Sequence, residues 1–213
     1  MPVTPRKPRL KRVAQKENRT KEILDAAWEL FCEVGYDSIT IDQVAEAAGY
    51  SRKPVYTLFG DKQSLFFELW MHRNADLTDL AVSLFDPAKS LRANLRQLAD
   101  VAAARSDLTE THAGEGLYIV MQTIALGRPD LAARAVETSA EVLHRFTKAI
   151  KSCRPEKGER LRGSGELVAA HLIAHINGLS MLRFQAGKNF MKAQDLYELF
   201  SFMAIQSTNE RKG

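Results

Sequence analysis

The sequence predicts an all-α protein, with a small three-helix head at the N-terminus and a larger helical body behind it. Three observations carry that prediction. Apolar residues recur at three-and-four spacing along most of the chain. Capping residues and exit glycines punctuate it at helix-length intervals. From Asp86 to the C-terminus every patterned stretch has the helical period.

Residues 17–34 form the first expected helix, with Ile23, Ala27, Leu30 and Val34 on one stripe and Leu24 and Phe31 beside it. Gly35 closes it, and Cys32 within it is expected to be core or partly buried. Its role is to hold the two short helices next in the chain. Thr40 with Gln43 has the form of a capping box, and Ile41, Val44, Ala45 and Ala48 then recur on one helical face. Gly49 stands where a helix needs a left-handed exit residue. Ser51 is placed to cap a second short helix over residues 52–58, with Pro54 in its first turn, where a missing N–H costs little. Two short helices with Ala-Ala-Gly at the corner can cross closely, as in a helix-turn-helix.

The second of these helices is then the one that enters a DNA major groove. Arg52 and Lys53 can reach guanine edges or phosphates. Tyr56, one turn on, can donate its phenol proton to a phosphate. Leu58 and Phe59 would anchor the helix to the head. The competing reading of these residues alone is a helix pair with a solvated basic end. After Gly60, Asp61 caps a long helix to about residue 84, with Leu65, Leu69, Leu77, Leu80 and Leu84 facing a core. Lys62 lies in its first turn, where a phosphate could approach a helix N-terminus.

From about residue 19 to 70 the chain resembles the tetracycline-repressor (TetR) family of bacterial transcription regulators. The resemblance rests on IL-x-AAWELF at residues 23–31, Gly35-Tyr36, Thr40-Ile41, VAEAAGYS at 44–51, VYTLFGDK at 55–62, and Leu65. It covers about a quarter of the chain, with the elements in the right order. It implies that Thr40, Ser51, Arg52, Lys53, Pro54, Tyr56 and Lys62 lie at the DNA, Lys62 on the backbone. It also implies a dimer formed by the last two helices. Pro54 stiffens the start of the recognition helix and removes a donor, which obscures base preference.

Charge is unevenly spread. Over residues 1–21, eight cations face one anion, Glu17, so that segment is +7 and the remainder of a chain of net +4 is −3. Pro2, Pro5 and Pro8 oppose helix there. A flexible basic arm carrying Arg9 and Arg12 would follow phosphates or a minor groove beside the head.

The body is read as a series of amphipathic helices. Asp86-Pro87 is a cap and first-turn proline for a helix with Leu91, Leu95, Leu98 and Val101 on its stripe. A turn region over residues 106–116 leads to LYIVMQTIAL, which breaks at Gly127 and Pro129. A long helix to about 153, a charged loop over 154–165, and two last helices at about 166–185 and 193–205 complete the chain. Small residues Ala174 and Gly178 permit close helix approach, and Leu167, Met181, Leu182, Leu196 and Leu199 could serve a core and a two-fold partner together.

Catalysis finds no support in these residues. His171 and His175 share a helix face, but no third ligand is spaced to complete a metal site. Ser164 lies in no nucleophile elbow. No cofactor motif occurs, and Cys32 and Cys153 are too far apart to suggest a metal site. A helical body can instead hold a small molecule among apolar and aromatic side chains. Trp70, Tyr118, Met121, Gln122, His144, Phe146 and Phe184 are candidates by type and position.

The expected organisation is a basic flexible arm (1–16), a helix-turn-helix DNA-binding domain (17–62) and a helical effector-binding and dimerisation domain (63–213). The expected partners are double-stranded DNA with a palindromic operator, a second copy of the chain and a small-molecule effector. No run of 18 apolar residues marks a membrane span and no apolar signal core stands at the N-terminus, so a cytoplasmic location is expected. The reading is a sequence-specific transcriptional regulator, a repressor released by its effector. The alternative is a small-molecule-binding helical protein whose basic head binds nucleic acid nonspecifically.

Overall fold

The computed structural model describes residues 7–104, 109–187 and 191–208, with side chains from Val13 and, in the second stretch, from Ala113. Among them are nine helices and one two-stranded ribbon. The helices are α1 (Lys7–Ser38), α2 (Ile41–Ala47), α3 (Arg52–Phe59), α4 (Lys62–Ser83), α5 (Leu91–Ala104), α6 (Thr109–Gly127), α7 (Pro129–Ser152), α8 (Gly165–Ala186) and α9 (Ala193–Ala204).

α1 starts at Lys7, about ten residues before the expected position, so the stretch read as a flexible arm is helical from there. Pro8 falls in its first turn, where the lost N–H has no intrahelical partner to leave unsatisfied. Arg9 and Arg12 belong to this helix, and their side chains lie outside the described residues. At the other end Gly35 breaks the helix with φ 74°, a value a side chain would resist. Cys32 is exposed rather than buried, because it faces away from the stripe that Ile23, Ala27 and Phe31 form.

Elsewhere three expectations are corrected. Asp86-Pro87 does not start a helix. The Asp86 carboxylate accepts from Ala88 N–H (2.8 Å) and its carbonyl from Lys89 N–H (3.0 Å), closing a turn instead. α5 begins at Leu91, with Ser90 Oγ accepting from Ala93 N–H. Residues 109–116, expected as part of a turn, open α6. Gly116 lies in ordinary contact with two neighbours: a Cβ there would stand 3.7 Å from the Phe184 ring and 3.9 Å from that of Phe31. The charged loop contains a strand, β1 (Glu159–Leu161), paired antiparallel with β2 (Ile205–Ser207), with Arg160 opposite Gln206. Three residues are too few to show alternation.

The core has two parts. One joins Ile23, Ala27, Val44 and Val55 of the head to Phe66 of α4, Leu117, Met121 and Ile124 of α6 and Leu131 of α7. The division expected after residue 62 therefore falls inside one continuous apolar cluster. The other joins Leu95, Ile150, Leu172 and Phe200, where α5 packs on α9 and α7 on α8. Leu77 and Leu80 enter neither cluster and are 44% and 39% exposed.

α8 leaves much of its apolar surface uncovered. Among the described residues it is the one helix long and apolar enough to cross a membrane by length and composition, which inspection for unbroken apolar runs misses. Only 17% of that stretch is buried within the protomer.

Candidate nucleic-acid interface and body cavity

The helix pair forms as its caps dictate. Gln43 N–H donates to Thr40 Oγ1 (3.2 Å) and Thr40 N–H donates to Gln43 Oε1 (2.8 Å), completing the capping box of α2. At the other end Tyr50 N–H donates to Ala45 O (2.8 Å) and Gly49 N–H to Glu46 O (3.0 Å), with Gly49 at φ 73°. That pair of bonds is a Schellman exit. It turns the chain sharply into α3. Ser51 has the extended backbone of an N-cap but its hydroxyl makes no capping bond. The turn is thus held by α2's exit, not by α3's entry.

α3 is divided cleanly. Val55 and Phe59 are buried in the head, while Ser51, Arg52, Lys53 and Tyr56 are exposed and Pro54 is half-buried. Tyr56 stands 48% open. One contact was not expected: Arg52 Nη1 lies 3.1 Å from Asp42 Oδ2 on α2. The other oxygen, Asp42 Oδ1, is buried without a hydrogen-bond partner.

Next to this face, Asp61 caps α4 through Oδ1, which accepts from Ser64 N–H at 2.7 Å. Lys62 folds back across the start of the helix. Its ammonium lies 4.3 Å from the centre of the Tyr36 ring and donates to Asp37 O (3.2 Å). Burial pulls its pKa down and Asp37 opposes that. Tyr50 donates to Glu22, tying the turn to α1. Thr40, Ser51, Arg52, Lys53, Tyr56 and Lys62 all belong to this end of the head.

The body helices, with Trp28 of α1, line a partly open cavity of about 530 Å³. Of the seven candidates for its lining, Trp70, Tyr118 and Phe146 are there. Met121 is buried in the head-side core, Gln122 and His144 are exposed, and Phe184 is half-buried beside Gly116. Position along a helix does not fix which way a side chain points, and these four point elsewhere. Leu77 and Leu80, expected in a core, line the cavity and owe their exposure to it.

Two polar features of its wall were missed. Glu115 accepts from Arg183 at 3.0 Å, an ion pair with only 9% and 15% of its side chains exposed. Arg73 lies with its guanidinium carbon 4.2 Å from the centre of the Trp28 ring, and its Nε is buried without a hydrogen-bond partner. A signal for Arg73 existed. It stands on the same helical stripe as Trp70, Leu77 and Leu84, a cation in an otherwise apolar row. His175 Nδ1 lies 2.9 Å from the His171 carbonyl, and no cluster of three or more metal-binding side chains occurs among the described residues.

Comparison with known proteins agrees with this geometry. Residues 23–69 match the family model "Bacterial regulatory proteins, tetR family". The chain is 34% identical over 71 residues to the HTH-type transcriptional regulator AcrR of Shigella flexneri, a match covering 33% of each chain. It is 42% identical over 52 residues to the HTH-type transcriptional repressor AcnR of Corynebacterium glutamicum, covering 24% of this chain and 28% of that protein. The chain thus spans about a third or less of the length of these curated relatives. The fold as a whole matches a crystal structure of a Mesorhizobium loti protein assigned to the TetR family. That match has a TM-score of 0.70 at 22% identity and covers 89% of this chain and 98% of that one. The chain thus carries, over residues 23–69, a head of the tetR family of bacterial regulatory proteins, on a helical body with the fold of the Mesorhizobium loti structure.

Proposed function

We propose that this chain is a dimeric transcriptional regulator, a repressor that reads DNA with α3 and releases it when a small molecule fills the body cavity. The observation that carries the reading is the division of α3. Val55 and Phe59 hold the helix rigidly in the head, while Arg52, Lys53 and Tyr56 are presented together on its open face. Arg52 serves as base reader, Lys53 and Tyr56 as positioning contacts on phosphates, and Thr40, Ser51 and Lys62 border the same surface. Pro54 keeps the first turn of α3 stiff. The basic start of α1, with Arg9 and Arg12, extends the attraction to the DNA backbone without needing a fixed contact.

A single α3 reads one half-site, so a palindromic operator needs two copies. The surface for the second copy is the open side of α8 and α9, where Leu167 (46%), Leu182 (51%) and Phe202 (67%) are exposed. The same helix also carries His171, His175 and Asn177 near its middle, all exposed. Polar groups there are costly in lipid and acceptable at a protein interface, which favours a dimer over a bilayer. Effector control is then a population shift: the ligand stabilises a dimer whose two α3 helices no longer match successive grooves.

Selection of genomic fragments by the purified protein at near-physiological salt tests the reading. Recovery of a shared palindrome, with half-sites about one helical turn apart, is the expected outcome. Broad, salt-sensitive retention with no common site would remove sequence reading and leave only a basic nucleic-acid-binding head.

A further inference from the structure

Among the described residues, the cavity wall has a charge without a counter-ion in contact. Its surface is mostly apolar, from Trp70, Leu77, Leu80, Phe146 and Ile173 among others. Among the described residues, four charged side chains interrupt it. Glu115 and Arg183 neutralise one another at 3.0 Å. Asp76 is 63% exposed, faces His72 at 3.9 Å and is screened by water. Arg73 is different. It is seated on the Trp28 ring, its Nε is shielded from solvent, and among the described residues no hydrogen bond or ion pair satisfies it.

An arginine in that state is a poor choice for packing alone. Its Nε is buried without a partner, which is destabilising, while the side chain as a whole is only half-buried and keeps donors open to the cavity. The same guanidinium offers a planar fork of donors matched to a carboxylate. Contact with the Trp28 ring restricts the guanidinium in advance, so less freedom is lost when an anion arrives.

From this we infer that the cavity takes a carboxylate with an apolar tail, its head group held by Arg73 and its tail lying along the apolar wall. This deepens the effector part of the proposed function and rests on the cavity being the effector site. It also names the coupling element. Arg73 projects from α4, whose first turn borders the DNA face, so a ligand held by Arg73 acts directly on the helix that carries the head.

The sequence contains two tryptophans, Trp28 and Trp70, and both line the cavity, so intrinsic fluorescence of the full chain reports occupancy without DNA. The probes are decanoate, decan-1-ol and decyltrimethylammonium, each below its micellar range, with calorimetry to confirm stoichiometry. We expect one decanoate per chain, bound at least about tenfold more tightly than the alcohol or the ammonium, as a charge-assisted pair in a shielded site should give. Arg73→Gln should abolish that margin while leaving decanol affinity within about twofold, which also shows that the variant keeps its fold. Arg73→Lys should retain part of the margin, having the charge without the fork. Equal affinity for acid and alcohol, preference for the ammonium, or an unchanged margin in Arg73→Gln would each overturn the inference. The regulatory reading is tested separately on the selected operator. Tight decanoate binding with no effect on DNA would spare this inference and sink effector control; DNA release by another ligand with no decanoate binding would do the reverse.

Discussion

Arg128 Nη1 lies 3.1 Å from Asp61 Oδ2, while the other oxygen of the same carboxylate caps α4. The turn between α6 and α7 thereby grips the capping residue of the helix that links head and body. Two more arginines of α7 continue the row, Arg134 to Glu68 (2.7 Å) and Arg145 to Asp79 (2.5 Å). α4 is laced along its length to α7.

Exposed pairs of this kind add little to global stability. The predicted effect of Arg128→Ala is therefore mainly on coupling: the melting temperature at neutral pH falls only slightly, while effector-induced loss of DNA affinity shrinks by about threefold or more. Operator binding titrated with and without effector measures it. An unchanged response, with normal binding of both ligands, would show that the body acts on the head by another route.

Asp61 also carries a pH signature. Desolvation raises its pKa, but the Ser64 backbone and hydroxyl and the Arg128 guanidinium outweigh that, leaving it below its ordinary 3.8. Asp130 is lowered as well, chiefly by its hydrogen bond from Arg128. A depressed carboxylate contributes stability that is present above its unfolded pKa and lost as pH falls through the folded one. Wild type should thus lose more stability than Arg128→Ala between about pH 4.5 and pH 2.5. Parallel denaturation curves across that range would refute the pairing as a stabilising contact.

In the capping box of α2 the Thr40 hydroxyl accepts from Gln43 N–H, and Thr40 N–H donates to the Gln43 side chain. Thr40→Ala should destabilise the protein by about 1 kcal/mol, with Thr40→Ser close to neutral. Urea unfolding decides this. If Thr40→Ala weakens DNA binding far more than its stability loss explains, the threonine touches the DNA as well.

The Asp42–Arg52 pair holds the proposed base reader against α2 in the absence of DNA. Asp42→Asn should free it, raising affinity for random DNA and narrowing the ratio of specific to nonspecific binding. Arg52→Ala should lower that ratio by weakening specific binding, whereas Tyr56→Phe should weaken all sequences by a similar factor. Binding assays on operator and scrambled duplexes at fixed salt separate the three. Identical losses on both duplexes for Arg52→Ala would remove it from base reading.

Asn94 is fully buried and closes the turn before α5. Its amide donates to Asp86 O (3.0 Å), Ser90 O (3.1 Å) and Cys153 Sγ (3.1 Å), and its oxygen accepts from Asp86 N–H (2.9 Å). Asn94→Ala strands several of these groups and should cost about 2–3 kcal/mol. A loss below about 0.5 kcal/mol would mean that water replaces the side chain.

The head was legible in the sequence because its determinants are local. Thr40 and Gln43 are three residues apart, Gly49 needs only its own φ, and Phe59 closes its short helix, so neighbours in the chain settle each feature. Of the two anchors expected in α3, Phe59 is buried, while Leu58 is half-buried and Val55 takes the inner place. The period of the body helices was legible for the same reason, and so was the exit at Gly127-Arg128-Pro129. What the tertiary structure alone decided involves partners some thirty to seventy residues apart. Arg128 meets Asp61, Asn94 meets Cys153, and Arg73 sits on the Trp28 ring in the cavity wall. Helical period says which residues share a face, not which way that face looks. Met121 turned to the head core, Leu77 and Leu80 turned to the cavity, and Arg160 paired with Gln206 in a ribbon too short to leave a pattern. Those directions are set by how the helices cross, a property of the packed molecule rather than of any one segment.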